Sequence, residues 1–521
     1  MNFGERHPAI IFVLVLSATV ARGTVSPPFE SEAAPAACSQ VDKLVFSKLA
    51  RLNIQPANVC PDGAFVRRAY LDVIGTLPTA TEARDFILSR DPNKRRALIG
   101  RLLEREEFAD YWAMKWSDLL RVKAEFPINL WPNAVQAYHR WIRTSLKENL
   151  PYDRFARELL TASGSDFRVP QVNFYRAIQN REPQGVAQAV ALTFMGTRAE
   201  KWPKERWSGM AGFFAQIGYK QTAEWKEEIV FFDPSKATNC EAAVFPDGTS
   251  ARLSPDRDPR EVFADWLIAP KNPWFARSMV NRVWAWLLGR GIINEPDDIR
   301  EDNPPANAEL LALLEKEFVA DHYDLRQLYR LILNSKTYQL SAIPGTRGSE
   351  AGVNFAYYPV RRLEAEVLMD ALNQITGSTE KYSSPIPEPF TFIPEKQRSI
   401  ALADGSITSA FLEMFGRPPR DTGLDSERNN RPTAAQELHL LNSSHVLRKI
   451  EQSRMIEYLT GRKKTPNEII AGMYLGILSR FPTAEELRTV ETYFQAAPNP
   501  REAGVDLAWA LINSAEFLYR H

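Results

Sequence analysis

Residues 65–79, FVRRAYLDVIGTLPT, decide the fold class of this 521-residue chain. The first ten residues of the stretch read as a helix, and Gly75-Thr76-Leu77-Pro78 then terminates it. Thr79 follows, three residues before Glu82, which is the spacing of the N-cap and N3 positions of a capping box. The stretch therefore predicts a helix, a break and a second, capped helix.

The same pattern returns near the end of the chain. Six positions agree at identical spacing: Tyr70, Leu71, Pro78, Thr79, Ala80 and Glu82 correspond to Tyr474, Leu475, Pro482, Thr483, Ala484 and Glu486. Each copy is followed by a leucine-rich helix and an aromatic residue, at residues 98–112 and 507–521. We therefore predict one supersecondary unit that is used at both ends of the protein. Two copies so far apart do not form a solenoid, which needs several adjacent repeats.

Helical patterns fill most of the remaining chain, and they form two modules. Residues 40–220 and residues 258–521 are predicted to be helical. Between them, residues 221–257 contain β-like runs at 228–232 and 242–245, separated by Pro, Asn and Gly. The predicted fold is mainly α, with two helical modules joined by a short β-containing or irregular segment.

The N-terminus has the layout of an export signal. Residues 9–20 are apolar apart from Ser17 and Thr19, and they are too few to favour a membrane-spanning helix. We predict a signal peptide at residues 1–23, a Pro/Ala-rich tail at residues 24–39, and an exported protein of the periplasm or cell envelope. A retained N-terminal segment is the alternative, and it is the only membrane contact that we predict.

The charge balance limits the partners. Lysine and arginine (64) balance aspartate and glutamate (64), so that the net charge is +0. A nucleic-acid binder needs a basic excess or a basic stripe. We therefore predict no nucleic-acid partner and expect other exported proteins instead. The oligomeric state is not defined by the sequence.

Three cysteines, Cys38, Cys60 and Cys240, leave an odd thiol in an oxidising compartment. Cys38 and Cys60 are the pair closest in sequence, and a disulfide between them would join the first helix to the next segment. A pair that involves Cys240 stays open, because spacing alone does not choose between them.

Histidines and acidic residues are the positions at which a metal would bind. His139 has Arg143 four residues later instead of a ligand, so we expect a partly buried helix histidine. His439 and His445 are six residues apart, which predicts opposite faces of one helix, whereas a metal-binding pair needs a spacing of about three or four. Neither pattern predicts a metal site.

The densest acidic loop, residues 295–303, contains Asp297, Asp298 and Asp302. Carboxylate and carbonyl oxygens are calcium ligands, but the Asp-x-Asp-x-Asp-Gly spacing of an EF-hand is missing. We expect structural caps and arginine pairs here, with a calcium site as the alternative.

Residues 196–214, GTRAEKWPKERWSGMAGFF, contain Trp202 and Trp207 among charged neighbours. The neighbours Lys201, Lys204 and Glu205 predict a solvent-exposed turn. The two indoles are therefore our candidates for a sugar-stacking or partner surface. Core packing is the alternative, as for the other tryptophans.

Several long blocks carry a resemblance to a known family. They include FVRRAYLDVIGTLPT, WSDLLR and LPYDRFARELL in the first module, and YDLRQLYRLILNSKTYQLSA, RRLEAEVLMDALNQITG and FLEMFGRPPR in the second. In this order they resemble the exported planctomycete and verrucomicrobial cytochrome-like family, which pairs two domains of unknown function.

The chain departs from that family at two places. Between ALTFMG (residues 191–196) and residues 201–214 the family carries a Cys-x-x-Cys-His haem-attachment run, and Arg198-Ala199-Glu200 bridges the gap here. The family's Cys-x-Cys-Glu-Arg segment is Leu424-Asp425-Ser426-Glu427-Arg428. The resemblance implies a member without covalent haem, so that no cofactor is predicted.

The function implied by the resemblance is a binding or scaffold component of an envelope or periplasmic assembly. The alternative is a hydrolytic or redox enzyme of extracytoplasmic polymer degradation that uses the acidic loop around Asp297. An electron-transfer protein ranks third, because the attachment motif is missing. The sequence leaves open whether the protein is an enzyme.

Overall fold

The fold is mainly α, as predicted, in a computed structural model that describes residues 28–239, 243–461 and 464–521. The predicted signal peptide, residues 1–23, lies outside the described residues. The α-helices are α1 Gln40–Arg51, α2 Asp62–Ile74, α3 Ala80–Leu88, α4 Lys94–Leu103, α5 Glu106–Leu119, α6 Pro132–Lys147, α7 Tyr152–Thr161, α8 Asn173–Arg176, α9 Pro183–Val190, α10 Lys204–Ala211, α11 Pro259–Leu267, α12 Phe275–Leu288, α13 Ala308–Ala320, α14 Leu325–Leu333, α15 Ser349–Val353, α16 Ala365–Thr376, α17 Ala410–Met414, α18 Ala434–Asn442, α19 Ser444–Glu451, α20 Arg454–Thr460, α21 Pro466–Leu478, α22 Ala484–Ala496, α23 Pro500–Ile512 and α24 Ala515–Leu518.

The strands are few and short. They are β1 Gly164–Ser165, β2 Ile217–Gln221, β3 Glu228–Phe232, β4 Arg361–Arg362 and β5 Tyr519–Arg520. None of the helices in the described ranges is both long and apolar enough to cross a bilayer.

The unit predicted at both ends of the chain is present, and it contains four helices rather than two. Helices α2–α5 form the first copy and α21–α24 the second, and α2 and α21 each have 13 residues. Thr79 and Thr483 close capping boxes with Glu82 and Glu486. The repeat detected in six sequence positions is therefore a repeat of structure.

Both copies use one arginine to join two carboxylates, although the arginine comes from different places. Arg105 binds Glu82 at 2.9 Å and Glu107 at 2.7 Å. In the second copy Arg480 binds Glu486 and Glu516, each at 2.7 Å. The two glutamates occupy corresponding positions in both copies, whereas the arginine that binds them comes from a different position. The ion pairs of the unit are therefore present in both copies.

The two copies pack against each other, which joins the ends of the chain. Arg67 of α2 is buried and donates to the carbonyl oxygens of Ile477, at 2.9 Å, and Phe517, at 2.8 Å. These carbonyls lie at the ends of α21 and α24, where helices leave carbonyl groups without internal partners. One continuous set of buried apolar side chains runs through both predicted modules.

A small antiparallel sheet lies between the modules, with strand order β1-β3-β2. The predicted run at 228–232 forms β3, and Tyr219 of β2 pairs with Val230. The run predicted at 242–245 contributes only a bridge between Val244 and Ser250, and Ala242 lies outside the described residues. Strand β2 begins at Ile217, earlier than expected, and strand β1 comes from the middle of the first predicted module.

The described part of the predicted tail, residues 28–39, lies against the body. The amide of Ser31 donates to the carbonyl of Val59 at 3.0 Å, and the amide of Val59 donates to Ala33 at 3.0 Å. The ring of Phe29 contacts His521 edge to face at 5.0 Å. This segment is therefore a packed strap rather than a free tether.

Cys38 and Cys60, which the sequence suggested as a disulfide pair, are both free thiols in the structure. The Cys38 thiol donates to the carboxylate of Asp42 at 3.3 Å, at the start of α1. Cys60 is buried in the apolar core, away from solvent. Cys240 lies outside the described residues.

Candidate functional site

Three segments that are far apart in the sequence, around Thr193, Asp297 and Asp425, come together near Arg282 of α12. This guanidinium is fully buried and donates to the carbonyl of Thr193 at 2.9 Å and to the carboxylate of Asp297 at 2.8 Å. The amide of Asp425 donates to the other oxygen of Asp297 at 2.8 Å. We call Arg282, Asp297 and Asp425 the junction site, since they connect three segments: the turn that the family resemblance marks as shortened, the acidic loop, and residues 424–428, where the resemblance expects cysteines.

The shortened turn is fixed by a glycine. Residues Ala191–Met195 form a π-helical turn, and Gly196 ends it with a φ of 59°. A Cβ atom at Gly196 would lie 2.9 Å from the carbonyl oxygen of Pro296 in the acidic loop. The amide of Ile299 donates to the carbonyl of Gly196 at 2.9 Å. Only glycine combines this conformation with such a close approach.

The two carboxylates of the junction site stand in different environments. Asp297 is held by the positive charge of Arg282. The half-buried Asp425 accepts a hydrogen bond from the indole of Trp286 at 3.1 Å. Burial raises the pKa of Asp425, and the negative charge of Asp297 raises that pKa further. A carboxyl group with a raised pKa is a candidate for general acid catalysis, because it holds its proton more strongly than a free carboxyl group.

Buried ion pairs continue from the junction site into the first module. Asp118 of α5 is bound by Arg420, at 2.9 Å, and by Arg428, at 2.7 Å. Arg428 also binds Glu366 of α16 at 2.6 Å. Burial raises the pKa of Glu366, but Arg428 and then Arg417 more than reverse this effect and hold the pKa at about 2. Arg428 thus joins the modules, whereas the neighbouring Glu427 accepts hydrogen bonds from the amides of Asp421 and Thr422 in its own loop.

A second set of buried charges lies beside this one. Lys115 of α5 binds Glu364 at 2.7 Å, and Glu364 also contacts Arg520. Arg520 in turn binds Asp72 of α2 at 2.9 Å. Arg520 of β5 therefore forms buried ion pairs with a residue from each module, Asp72 and Glu364.

The three acidic residues considered for calcium each have a cationic partner. Asp297 is paired with Arg282. Asp298 is bound by Lys201 and by Arg300, each at 3.0 Å, and Asp302 is bound by Arg300 at 2.9 Å. Across the parts of the chain that the structure describes, no three His, Cys, Asp or Glu side chains gather as a metal site. The loop thus has the arginine pairs that we expected.

The residues at the shortened turn do not fit covalently attached haem. That attachment requires two thiols and a neighbouring imidazole, and residues 196–202 contain neither group. Thr197 and Ala199 are buried, and the hydroxyl of Thr197 donates to the carbonyl of Ile299 at 2.9 Å. The polar groups of this turn are therefore used for hydrogen bonds that pack it against the acidic loop.

His139 is a buried residue of α6, as expected from the sequence. Its Nε2 atom has no hydrogen-bond partner in the described structure. Burial lowers the pKa of His139 to about 3, with the charges of Arg420 and Arg143 adding to the effect. The imidazole is therefore neutral at any physiological pH.

The prediction that His439 and His445 lie on opposite faces of one helix is wrong. Helix α18 ends at Asn442, and Ser443 caps a new helix, α19. The two imidazole rings consequently come within 6.0 Å of each other, and Nε2 of His445 lies 2.9 Å from the Glu380 carboxylate. The serine pair after Asn442 was the available signal, because serine is a preferred N-cap residue.

Trp202 and Trp207 are half-buried rather than free on the surface. The guanidinium of Arg206 lies over the Trp202 ring at 4.5 Å, and the exposed residues of this turn include Lys201 and Lys204. More exposed aromatic side chains occur elsewhere, in particular Trp225. Sequence reasoning missed Trp225, although its polar neighbours in QTAEWKE were a signal.

Two family models match the chain, one on each side of the small sheet. Residues 40–216 match PSCyt2, described as a protein of unknown function (DUF1549). Residues 259–494 match PSD1, described as a protein of unknown function (DUF1553). No curated protein and no solved structure matches the chain.

Proposed function

The chain belongs to the cytochrome-like family that pairs a PSCyt2 module with a PSD1 module, and we propose that it is an exported, non-haem binding or scaffold component of an envelope or periplasmic assembly. The exported location rests on the sequence of residues 1–23, which lie outside the described residues.

One observation carries the proposal. At the place where the family resemblance expects a haem-bearing turn, this chain has a buried charge pair, Arg282 with Asp297, whose carboxylate also binds the amide of Asp425. No two of the cysteines Cys38, Cys60 and Cys240 have the spacing that haem attachment needs. The junction site supports a structural role, because Arg282 of the second module binds the backbone carbonyls of Leu192 and Thr193 in the first module.

An enzymatic function is the second candidate, and one observation favours it. Asp425 is half-buried, its pKa is raised by burial and by the charge of Asp297, and its backbone amide binds the Asp297 carboxylate. A buried carboxyl group with a raised pKa beside a second carboxyl group is the kind of group that serves as a general acid in hydrolysis. The indole of Trp286 fixes the Asp425 side chain.

Turnover assays separate the two functions. The full-length chain, purified from the exported fraction, is incubated with a panel of polysaccharides and small esters. Wild type is compared with Asp425→Asn and with Asp302→Asn, whose carboxylate is exposed. The proposal predicts no product with any substrate, together with elution of the chain from native extract in a complex larger than the purified chain. Product formation that Asp425→Asn abolishes and Asp302→Asn preserves would establish the enzyme instead.

A further inference from the structure

Three loops bring aromatic side chains together on the surface. Trp131 lies in the loop before α6, Trp225 in the β2–β3 hairpin and Phe390 in the loop before α17. The rings of Trp131 and Trp225 stack with their centroids 5.7 Å apart, and Phe390 contacts Trp131 at 5.4 Å. We call Trp131, Trp225 and Phe390 the aromatic platform.

The platform is open to solvent. Trp225 is 62% exposed and Phe390 is 52% exposed. The loops also expose Phe126, five residues before Trp131, and Phe392, two residues after Phe390. Large apolar side chains that cluster on a surface usually mark an interaction site, because leaving them in water costs free energy. Trp131 is half-buried against the core, whereas core packing does not account for the exposed rings of Trp225 and Phe390.

The backbone that presents the platform is strained. Trp131 has a φ of 72° and Lys226 has a φ of 63°, a region that side chains other than glycine rarely adopt. The amide of Trp131 donates to the carbonyl of Ala124 at 3.3 Å, and its carbonyl accepts from Val135 at 3.0 Å, so the loop holds the residue in place. Such strain is found where a surrounding structure positions a side chain for function.

The charges around the platform favour a neutral ligand. The ammonium group of Lys226 lies 5.4 Å from the Trp131 ring and 5.8 Å from the Trp225 ring. The same loops carry Glu224 and Glu388, both exposed. A nucleic acid or another polyanion requires a groove with excess positive charge, and the platform has mixed charges instead.

We propose that the aromatic platform binds a neutral polysaccharide. The negative face of an aromatic ring attracts the electropositive C–H groups on the flat side of a pyranose ring. Lys226 supplies hydrogen-bond donors, and Glu224 and Glu388 supply acceptors, for the hydroxyl groups of the sugar. Because the two tryptophans of the platform stack on each other, the exposed Trp225 and Phe390 rings are the surfaces that a sugar would contact. This inference rests on the binding function proposed above and specifies its ligand class.

Retention assays with the full-length chain test the inference. The probes are hydroxyethyl cellulose, glucomannan, xylan and starch in native affinity gels, with heparin as the anionic comparison. Trp225→Ala and Phe390→Ala remove exposed rings, and Phe481→Ala removes a partly exposed phenylalanine outside the platform as the matched control. We expect retention by at least one neutral polysaccharide, weakened about tenfold by each platform variant, as for one lost stacking contact, and unchanged by Phe481→Ala. Circular dichroism confirms that each variant is folded.

Three results would overturn the inference. The first is no retention by any of the neutral polysaccharides. The second is stronger retention by heparin that Lys226→Met abolishes, which indicates an anionic ligand. The third is a wild-type dimer in sedimentation velocity that Trp225→Ala dissociates, which indicates a second copy of this chain. If no polysaccharide is retained, the scaffold function is still compatible with the result, with proteins as its partners. If a retained polysaccharide is cleaved, the scaffold function is contradicted, but sugar binding by the aromatic platform is not.

Discussion

Replacing Arg282 by methionine removes the cation that neutralises Asp297 inside the protein. The Arg282 and Asp297 side chains are 0% and 3% exposed. Removing one partner of a buried ion pair costs about 3–5 kcal/mol, because the other charge stays buried without compensation. The lost hydrogen bonds to the carbonyls of Thr193 and Leu192 act in the same direction. We therefore expect Arg282→Met to lower the free energy of unfolding by about 4 kcal/mol.

A double-mutant cycle isolates the pair. Asp297→Asn leaves Arg282 buried and unpaired, so we expect a loss of about 3 kcal/mol. The double variant has neither buried charge, and its loss should be smaller than the sum of the two single losses by about 2 kcal/mol. Arg84→Met is the control, since Arg84 and Asp85 are 50% and 61% exposed, and it should cost less than about 1 kcal/mol.

Urea unfolding measures these differences, followed by both tryptophan fluorescence and circular dichroism. The transitions from the two probes must coincide before a free energy is calculated. Single-variant losses no larger than that of Arg84→Met, or additive losses in the double variant, would refute the argument that this pair holds the junction site together.

Three further predictions concern the repeated unit and the buried charges. Ser479 has a φ of 61°, and its buried hydroxyl lacks a partner in the described structure; Ser479→Gly should therefore stabilise the protein by about 1 kcal/mol. The matched change Gly75→Ser should destabilise it, because a Cβ there would lie 2.4 Å from the Tyr111 ring, and thermal unfolding reports both signs. Thr79→Ala and Thr483→Ala should each lower the free energy of urea unfolding by about 1 kcal/mol through a lost cap, and no change in either would contradict the capping assignment. Burial raises the pKa of Glu366, but Arg428 and Arg417 hold it at about 2, below the ordinary value of 4.5; this contribution to stability is thus complete above about pH 4.5 and is lost as the pH falls towards 2. Urea midpoints measured between about pH 6 and pH 3 should show a smaller decrease for Glu366→Gln than for wild type, and equal decreases would count against the assigned pairing.

Local signals explain what the sequence predicted correctly. The capping boxes at Thr79 and Thr483 involve residues three positions apart, and the helix break at Gly75 is a property of that residue and its neighbours. The repeat was visible because its two copies keep the same spacing. The helical modules and strand β3 likewise follow from periodicity within short windows.

Contacts between distant residues explain what the sequence did not predict. Asp425 and Asp297 are 128 positions apart, and nothing in either segment indicates that they meet. Arg67 resembles any helix arginine in the sequence, yet it is buried against carbonyls of the last helices. Such contacts depend on how the helices pack against one another, and the periodicity within one helix does not indicate which helix it will contact.

Exposure of aromatic residues was the least predictable property. Trp202 was expected on the surface because of its charged neighbours, but it is half-buried beneath Arg206. Trp225 also has charged neighbours and is 62% exposed. The same local composition therefore surrounds both indoles, and only the tertiary structure distinguishes them.

The iron content and visible absorption spectrum of the full-length chain, purified from its native cells, test the central claim most directly. The account predicts no haem absorption band and no stoichiometric iron, because residues 196–202 contain neither cysteine nor histidine and Arg282 binds the backbone just before this turn. A haem band together with one iron per chain would contradict it, and would require a ligand set other than the residues at the shortened turn.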